Sequence, residues 1–274
     1  MQASSALPSQ DPSAPRPVPA GPVPAGPVSA GPVSAGPVSA GPVSANGLPQ
    51  PPACGHSLVA DASFPEMLPL RLVVAGAGGH AKEILELIQQ QRMGQPVMYD
   101  EAPSSLARPP FCRLASHTNP PALRREFGNR GFPFVLAVGS PVSRARLYDR
   151  LVSVGGWPRS VIAGTAVVSG DAELSEGLNV MHFALISCDA RIGRGSLVNA
   201  RANLHHDTCV GQFCEICPGA LILGAARLGD RVRVGSGAIV LPGIRVGDDV
   251  TIGAGAVVTR NVPDGVTVKG VPAR

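Results

Sequence analysis

Three consecutive residues, His205-His206-Asp207, are the strongest candidates for chemistry in this chain. An imidazole is the side chain best suited to take a proton near neutral pH. A carboxylate beside it can hold the tautomer and stabilise the charged ring, the logic of a base with an orienting group. Across residues 158–274 the histidines are His182, His205 and His206. A second candidate is Gly76-Ala77-Gly78-Gly79-His80-Ala81, which meets the GxGxxG/A spacing, with Asp100 lying 19 residues after Ala81. Glycines in that pattern let a phosphate approach a helix N-terminus, so a dinucleotide site, another nucleotide site and a ligand-free strand–helix turn all remain open. Cys214-x-x-Cys217, with Cys209 nearby, has zinc-like spacing. Cys214, however, falls where a small apolar filler fits and there is no second CxxC, so no metal is expected.

The elements that position these residues follow from periodicity. From Ile162 to Val258, every sixth residue is Ile, Leu or Val, seventeen positions in one unbroken register. Two residues before each, the side chain is usually small, as at Ala184, Ala202, Ala220 and Ala238. The residue after is often glycine, as at Gly193, Gly211 and Gly229. Such a hexad makes one short flat strand and one corner, with the aliphatic residue and its small partner inward and glycine at the strained corner. One face cannot be buried alone, so coils must stack. Three faces per turn imply 18 residues per coil and roughly five to six coils of a parallel β-helix. His206 lies two residues past the inward Leu204, in a corner. His205 occupies the step often filled by glycine, which suits a structural or lining role.

Before the repeat, the pattern predicts a small α/β unit. Leu70–Ala75 reads as an apolar strand, the glycine turn follows, and Lys82–Ile88 has helical spacing. Val97–Asp100 and Phe134–Gly139 read as further strands and Arg144–Val154 as a second helix, the order of a nucleotide-binding βαβ half. Residues 1–66 hold 15 of the 29 prolines and repeats of Gly-Pro-Val-Ser-Ala. With little bulky apolar content that segment is expected to be disordered, and Met67 is a candidate translation start. The expected domains are therefore 1–66, 67–157 and 158–274.

Composition excludes several classes. The chain of 274 residues carries a net charge of +4. After residue 66 there are 22 basic and 16 acidic residues, a net of +6. That balance lacks the dense basic patch of a nucleic-acid binder. No apolar run approaches a bilayer span, and the N-terminus shows no basic-then-apolar signal pattern. Six cysteines in this length do not make a disulfide scaffold. The expectation is a cytoplasmic protein that binds neither nucleic acid nor membrane.

Val74 to Ala81, Asn199 to Gly211 and Ile252 to Val258, the last running on to Gly270-Val271-Pro272-Ala273-Arg274, together resemble the hexapeptide-repeat sugar acetyltransferases. Within them the chain is most similar to the sialic-acid O-acetyltransferases of NeuD type and the UDP-4-amino-sugar N-acetyltransferases of PglD type. The resemblance covers residues 70–274. It implies a Rossmann-like unit followed by a left-handed β-helix, assembled as a homotrimer with the active site between subunits. It implies acetyl-CoA as donor and, as acceptor, a nucleotide-linked amino sugar or a related surface-glycan precursor, held by Gly78, Gly79 and His80 at the phosphates and by Asp100 and Glu101 at the base. His206 with Asp207 matches the family's catalytic pair. Gly224 matches the oxyanion donor, and Asn199 a residue near the acetyl donor.

Two departures stand out. Ile162 is followed by Ala163-Gly164, where relatives have His-Pro or Ser-Pro. Glu215 occupies a position, nine residues after His206, that is often histidine and lies near donor and acceptor. A carboxylate there, if close, would favour the imidazolium form of His206. Two other readings stay open: O-acetylation of a free sugar acid or small alcohol, and a non-catalytic binding or scaffold trimer. Carbonic anhydrase on the same fold needs a three-histidine metal site, which three histidines with two adjacent do not supply.

Overall fold

The computed structural model describes residues 71–274. The expectations for the proline-rich segment, the Met67 start and Leu70 lie outside the described residues. The described chain begins with an α/β unit made of β1 (Arg71–Ala75), α1 (Gly79–Gln90), β2 (Gln95–Tyr99), α2 (Pro103–Leu106), β3 (Ser116–His117), α3 (Pro120–Phe127), β4 (Phe132–Leu136), α4 (Pro141–Val152) and β5 (Gly156–Pro158). All five strands pair in parallel in the order β3-β2-β1-β4-β5. The continuous apolar run of β1 is explained by its central place, with both faces covered. Leu72 and Val74 pack with Ile84 and Leu87 of α1. Val73 and Ala75 pack on the other side with Leu123, Leu147 and Leu151.

Four short elements were not anticipated: α2, β3, α3 and β5. β3 contributes only Ser116-His117, which carries no apolar alternation. α3 did leave a signal: Asn119 caps it by accepting from the Ala122 amide at 3.0 Å, and Pro120 and Pro121 open it. α4 starts three residues earlier than the apolar spacing suggests, because Ser140 and Pro141 supply a cap and a first turn.

From Val161 the chain winds into two-residue strands stacked as in a left-handed parallel β-helix. Three sheets result, of seven, six and five strands. Neighbouring strands are offset by 18 residues, for example Asn203 beside Leu185 and Leu221. The six-residue positions form one continuous core with their small partners, including Leu204, Ile222, Val240, Ala202, Ala220 and Ala238. Ile162 is the exception at 37% exposure, because it ends the stack. The last coil is two residues shorter than the rest, since Thr251 pairs with Thr267 and Val246 bridges Val262.

The corner reading needs correction. Positive φ falls three residues after the aliphatic position, not one. It recurs at Phe183, Asp189, Gly195, Arg201, Asp207, Phe213 and onward. The glycines one residue after the aliphatic position answer a different constraint. A Cβ on Gly193 would meet Gly211 C at 2.6 Å, and one on Gly211 would meet Gly229 O at 2.3 Å. They are small because successive coils touch there.

The α/β unit packs on the outer side of the seven-stranded sheet. Val161, Ala163, Met181 and Leu197 share a core with Ile84 and Ile88. Gln91 Nε2 donates to Ile162 O at 2.6 Å. On the other side Phe213 meets Tyr148 edge-on at 5.2 Å, and the Arg194 guanidinium lies over both rings.

Candidate active site

The corner after Leu204 presents His206 to solvent. Its side chain and that of Asp207 are each 60% exposed. His206 Nδ1 lies 2.7 Å from Asp207 Oδ2. With the proton on Nδ1, donating to that carboxylate, Nε2 carries the lone pair; it lies toward Gly224 and makes no hydrogen bond among the described residues, an arrangement that can serve a general base. The local backbone makes this possible. Asp207 has φ of +60°, a left-handed conformation that aspartate tolerates better than most residues, and its amide donates to Cys188 O one coil below. Gly224 stands one coil above. A Cβ there would lie 2.5 Å from His206 Cε1, so glycine leaves room for the imidazole in this orientation.

His205 does not share this corner surface. It is half-buried, its amide bonds Ile222 O, and its carbonyl accepts from Thr208 Oγ1 at 2.8 Å. Asn199 is half-buried with Oδ1 turned back onto the Ala200 amide at 2.7 Å, outside the coil interior. Cys214 fills an inward position of the stack. Burial pushes its thiol up to about 12, so it is protonated at neutral pH and unlike a metal-ligating thiolate.

The second constellation surrounds the glycine turn. Gly76 has φ of +120°, and a Cβ on it would meet Val138 Cγ1 at 2.5 Å. Gly78 precedes the first turn of α1 and Gly79 opens it; a Cβ on either would meet nothing within 4 Å. Packing among the described residues therefore does not explain these two glycines, which leave open space at the helix N-terminus. Asp100 braces the turn, accepting from the Ala77 and Ala102 amides, each at 2.8 Å. A cleft beside it is lined by Gly76, Tyr99, Asp100, Glu101, Val138 and Arg146. Glu101 accepts from Tyr99 Oη at 3.2 Å, pairs with Arg150 and lies 3.6 Å from Arg146. Arg146 and Arg150 carried no sequence signal, because α4 places them opposite Glu101 only through the tertiary fold.

His80 bonds Glu83 through Nδ1 at 3.0 Å, while its Nε2 is buried without a partner among the described residues. Burial holds its pKa below the usual histidine value, against the pull of Glu83. Glu215 is buried against the α/β unit, and a Cβ on Gly139 would lie 2.7 Å from its Oε1. Arg233 Nε sits 3.1 Å from Glu215 Oε2 without hydrogen-bond alignment. Within one chain the fold thus brings together His206, Asp207 and Gly224. It also brings together the glycine turn, Asp100 and Glu101, with Glu215 on the side of the α/β unit rather than beside His206.

Residues 71–151 match the PglD N-terminal domain, and residues 225–260 match the bacterial transferase hexapeptide (six repeats). Among solved structures, the acetyltransferase domain of PglB from Neisseria gonorrhoeae, in complex with acetyl coenzyme A, is 31% identical with a TM-score of 0.68, covering 74% of this chain and 98% of that one. GDP-perosamine N-acetyl transferase from Caulobacter crescentus, a histidine-to-alanine mutant with CoA and GDP-perosamine, is 32% identical with a TM-score of 0.65, covering 74% and 95%. WeeI from Acinetobacter baumannii is 26% identical with a TM-score of 0.67, covering 75% and 99%. With a PglD-type α/β unit, an unbroken hexapeptide stack and such matches over nearly the whole length of those relatives, this chain belongs to the hexapeptide-repeat sugar acetyltransferases and is an acyltransferase.

Proposed function

We propose that the protein transfers the acetyl group of acetyl-CoA to a nucleotide-linked amino sugar, with His206 as general base. The observation that carries this reading is the His206–Asp207 pair on a solvent-facing corner, with Gly224 cleared directly above it. His206 Nε2 takes a proton from the acceptor as its nitrogen or oxygen attacks the thioester carbonyl. Asp207 holds the ring and stabilises the imidazolium that forms. The developing oxyanion needs a backbone donor, and the Gly224 amide, which makes no hydrogen bond among the described residues, supplies one. Collapse of that intermediate breaks the carbonyl–sulfur bond, and the His206 imidazolium returns its proton to the departing CoA thiolate. Asn199 lies on the donor side. The acceptor's phosphates rest on the open turn at Gly78, Gly79 and His80, with its base toward Asp100 and Glu101. Relatives captured with CoA and GDP-perosamine support a donor and acceptor of these classes. We place the enzyme in the cytoplasm as part of this reading; no described helix is long and apolar enough to cross a membrane, which by itself assigns no compartment.

The assembly we infer is a homotrimer. Its support is the outer face of the six-stranded sheet, where Val167, Leu185, Asn203, Leu221, Ile239 and Val257 stand in register and none is buried. A row with five apolar members of six, broken only by Asn203, suits a protein contact, and the His206 corner borders it. Light scattering on residues 67–274 tests this, with a monomer overturning it.

The activity test is thioester release from acetyl-CoA over a panel of UDP- and GDP-linked amino sugars, the corresponding free sugars, and a free sugar acid. Turnover confined to nucleotide-linked amines is expected. Turnover of the free sugar acid alone would favour O-acetylation. No turnover of any acceptor would favour a binding trimer.

A further inference from the structure

Arg144 has no part in the chemistry above, yet it is the largest fully buried side chain described in the molecule. It sits in the first turns of α4 and reaches out of the α/β unit into the β-helix. Its guanidinium binds three places at once. Nη1 donates to Val138 O at 2.7 Å, in the loop that follows β4. Nε donates to Gly195 O at 2.6 Å, and Nη2 to Asn179 Oδ1 at 2.7 Å, on the β-helix. Among the described residues no carboxylate is hydrogen-bonded to it; Glu215 acts on it only as a charge at longer range. Burial lowers its pKa to about 9, which still leaves it charged at neutral pH.

Burying a cation on neutral acceptors costs several kcal/mol, and an apolar side chain would hold two surfaces together more cheaply. What a guanidinium supplies instead is fixed geometry: a planar fork whose donors lock three separate acceptors in one arrangement. Those acceptors are informative. Val138 lines the cleft with Gly76 and Asp100, and its Cγ1 fills the space a Cβ of Gly76 would need. Gly195 and Asn179 belong to β-helix coils one turn apart. The fork therefore ties the wall of the nucleotide cleft directly to the scaffold that carries the acetyl-transfer corner.

We propose that Arg144 is a positioning residue, setting the α/β cleft at a fixed distance and angle to the β-helix so that an acceptor anchored by its nucleotide presents its sugar to the acetyl-transfer site. The proposal rests on the nucleotide-sugar reading given above. It makes the cleft a measuring device: the nucleotide is gripped far from the reacting atoms, and a misplacement of about 1 Å at the sugar is enough to cost on the order of 10² in rate.

The test separates anchoring from alignment. Calorimetric binding of GDP and UDP to the full-length protein reads the cleft alone. Steady-state kinetics with the nucleotide-linked amino sugar and acetyl-CoA reads alignment. Arg144→Met is expected to lower kcat/KM for the acceptor by about 10², with most of the loss in kcat. The KM for acetyl-CoA and the affinity for the nucleoside diphosphate should stay near wild type. Arg144→Lys keeps the charge but not the fork, so it should recover only part of the rate. That variant also keeps the test valid if Arg144→Met does not fold. Wild-type kcat in both variants would overturn the proposal. Equal losses of nucleoside-diphosphate affinity and of turnover would also overturn it, since Arg144 would then be shaping the cleft itself. If the wild-type protein binds neither nucleotide, the nucleotide-sugar reading fails first and the proposal with it. That outcome is read on the unmutated protein and so is distinguishable from the others.

Discussion

The β-helix and the α/β unit solve the same problem, placing a few polar groups on a rigid body, by opposite means. The β-helix repeats one hexad until its backbone bonds and aliphatic stack fix every corner. Any corner side chain is then free to serve chemistry, and the proposed pair, His206 and Asp207, is well exposed on such a corner. The α/β unit repeats nothing. Its site depends on single close approaches, such as Gly76 against Val138 and Gly139 against Glu215. The β-helix corner should therefore tolerate side-chain removal structurally but not catalytically. The α/β contacts should behave the other way round.

The sharpest break of that contrast is His206→Ala. Turnover should fall by about 10²–10⁴, the usual worth of a general base, while the thermal midpoint and oligomer size stay at wild type. Asp207→Asn keeps a residue that tolerates positive φ and should lie between the two; His205→Ala should cost far less. A full loss in His205→Ala with near wild-type His206→Ala would move the base by one residue.

Inside the stack the expectation reverses. Ile222 is fully buried between Leu204 and Val240. Ile222→Ala should cost about 2–5 kcal/mol by leaving a cavity in a narrow core, read from denaturant midpoints. An unchanged midpoint would mean the coils can collapse around the gap, contrary to a rigid stack.

Gly139→Ala sharpens the α/β side. Its Cβ would lie 2.7 Å from Glu215 Oε1, and overpacking of this kind costs about 1–3 kcal/mol. Because the obstacle is one carboxylate, Glu215→Ala should remove most of that penalty. A double-mutant cycle in chemical denaturation checks it, and additive effects would show that the two residues do not press on each other.

The smallest effect concerns acid. His80 has its folded pKa below the free-chain value because it is buried. Between those two values the unfolded chain binds more protons, so this group's stability is complete above the free-chain value and is lost as pH falls through the folded pKa. His80→Gln should flatten the decline of the melting temperature between neutral pH and pH 5, on the order of one proton's worth of linkage. An identical decline in both proteins would assign the acid sensitivity elsewhere.

The unequal legibility of the two halves has the same origin. Seventeen aliphatic positions at steps of six predicted seventeen of the eighteen β-helix strands, all but Thr267–Val268, since local repetition and global fold are one pattern there. The exposed corner position of His206 and Asp207 was legible for that reason, as its backbone is set by its own hexad. Even so, the repeat showed where glycine recurs without showing why. Coil-to-coil contact at Gly193 and Gly211 is a relation between residues 18 apart. In the α/β unit the glycine turn and β1 were legible. β3 was not, because two polar residues become a strand only by pairing with Met98 and Tyr99. The sequence by itself determined the hexad register, the candidate base and the open turn at Gly78 and Gly79, each written in contiguous residues. The tertiary structure alone decided that Arg144 reaches Gly195 and Asn179, that Arg146 and Arg150 face Glu101, and that Glu215 turns toward Gly139 rather than His206. Those are contacts of side chains distant in sequence, and they exist only once two independently patterned units are packed against each other.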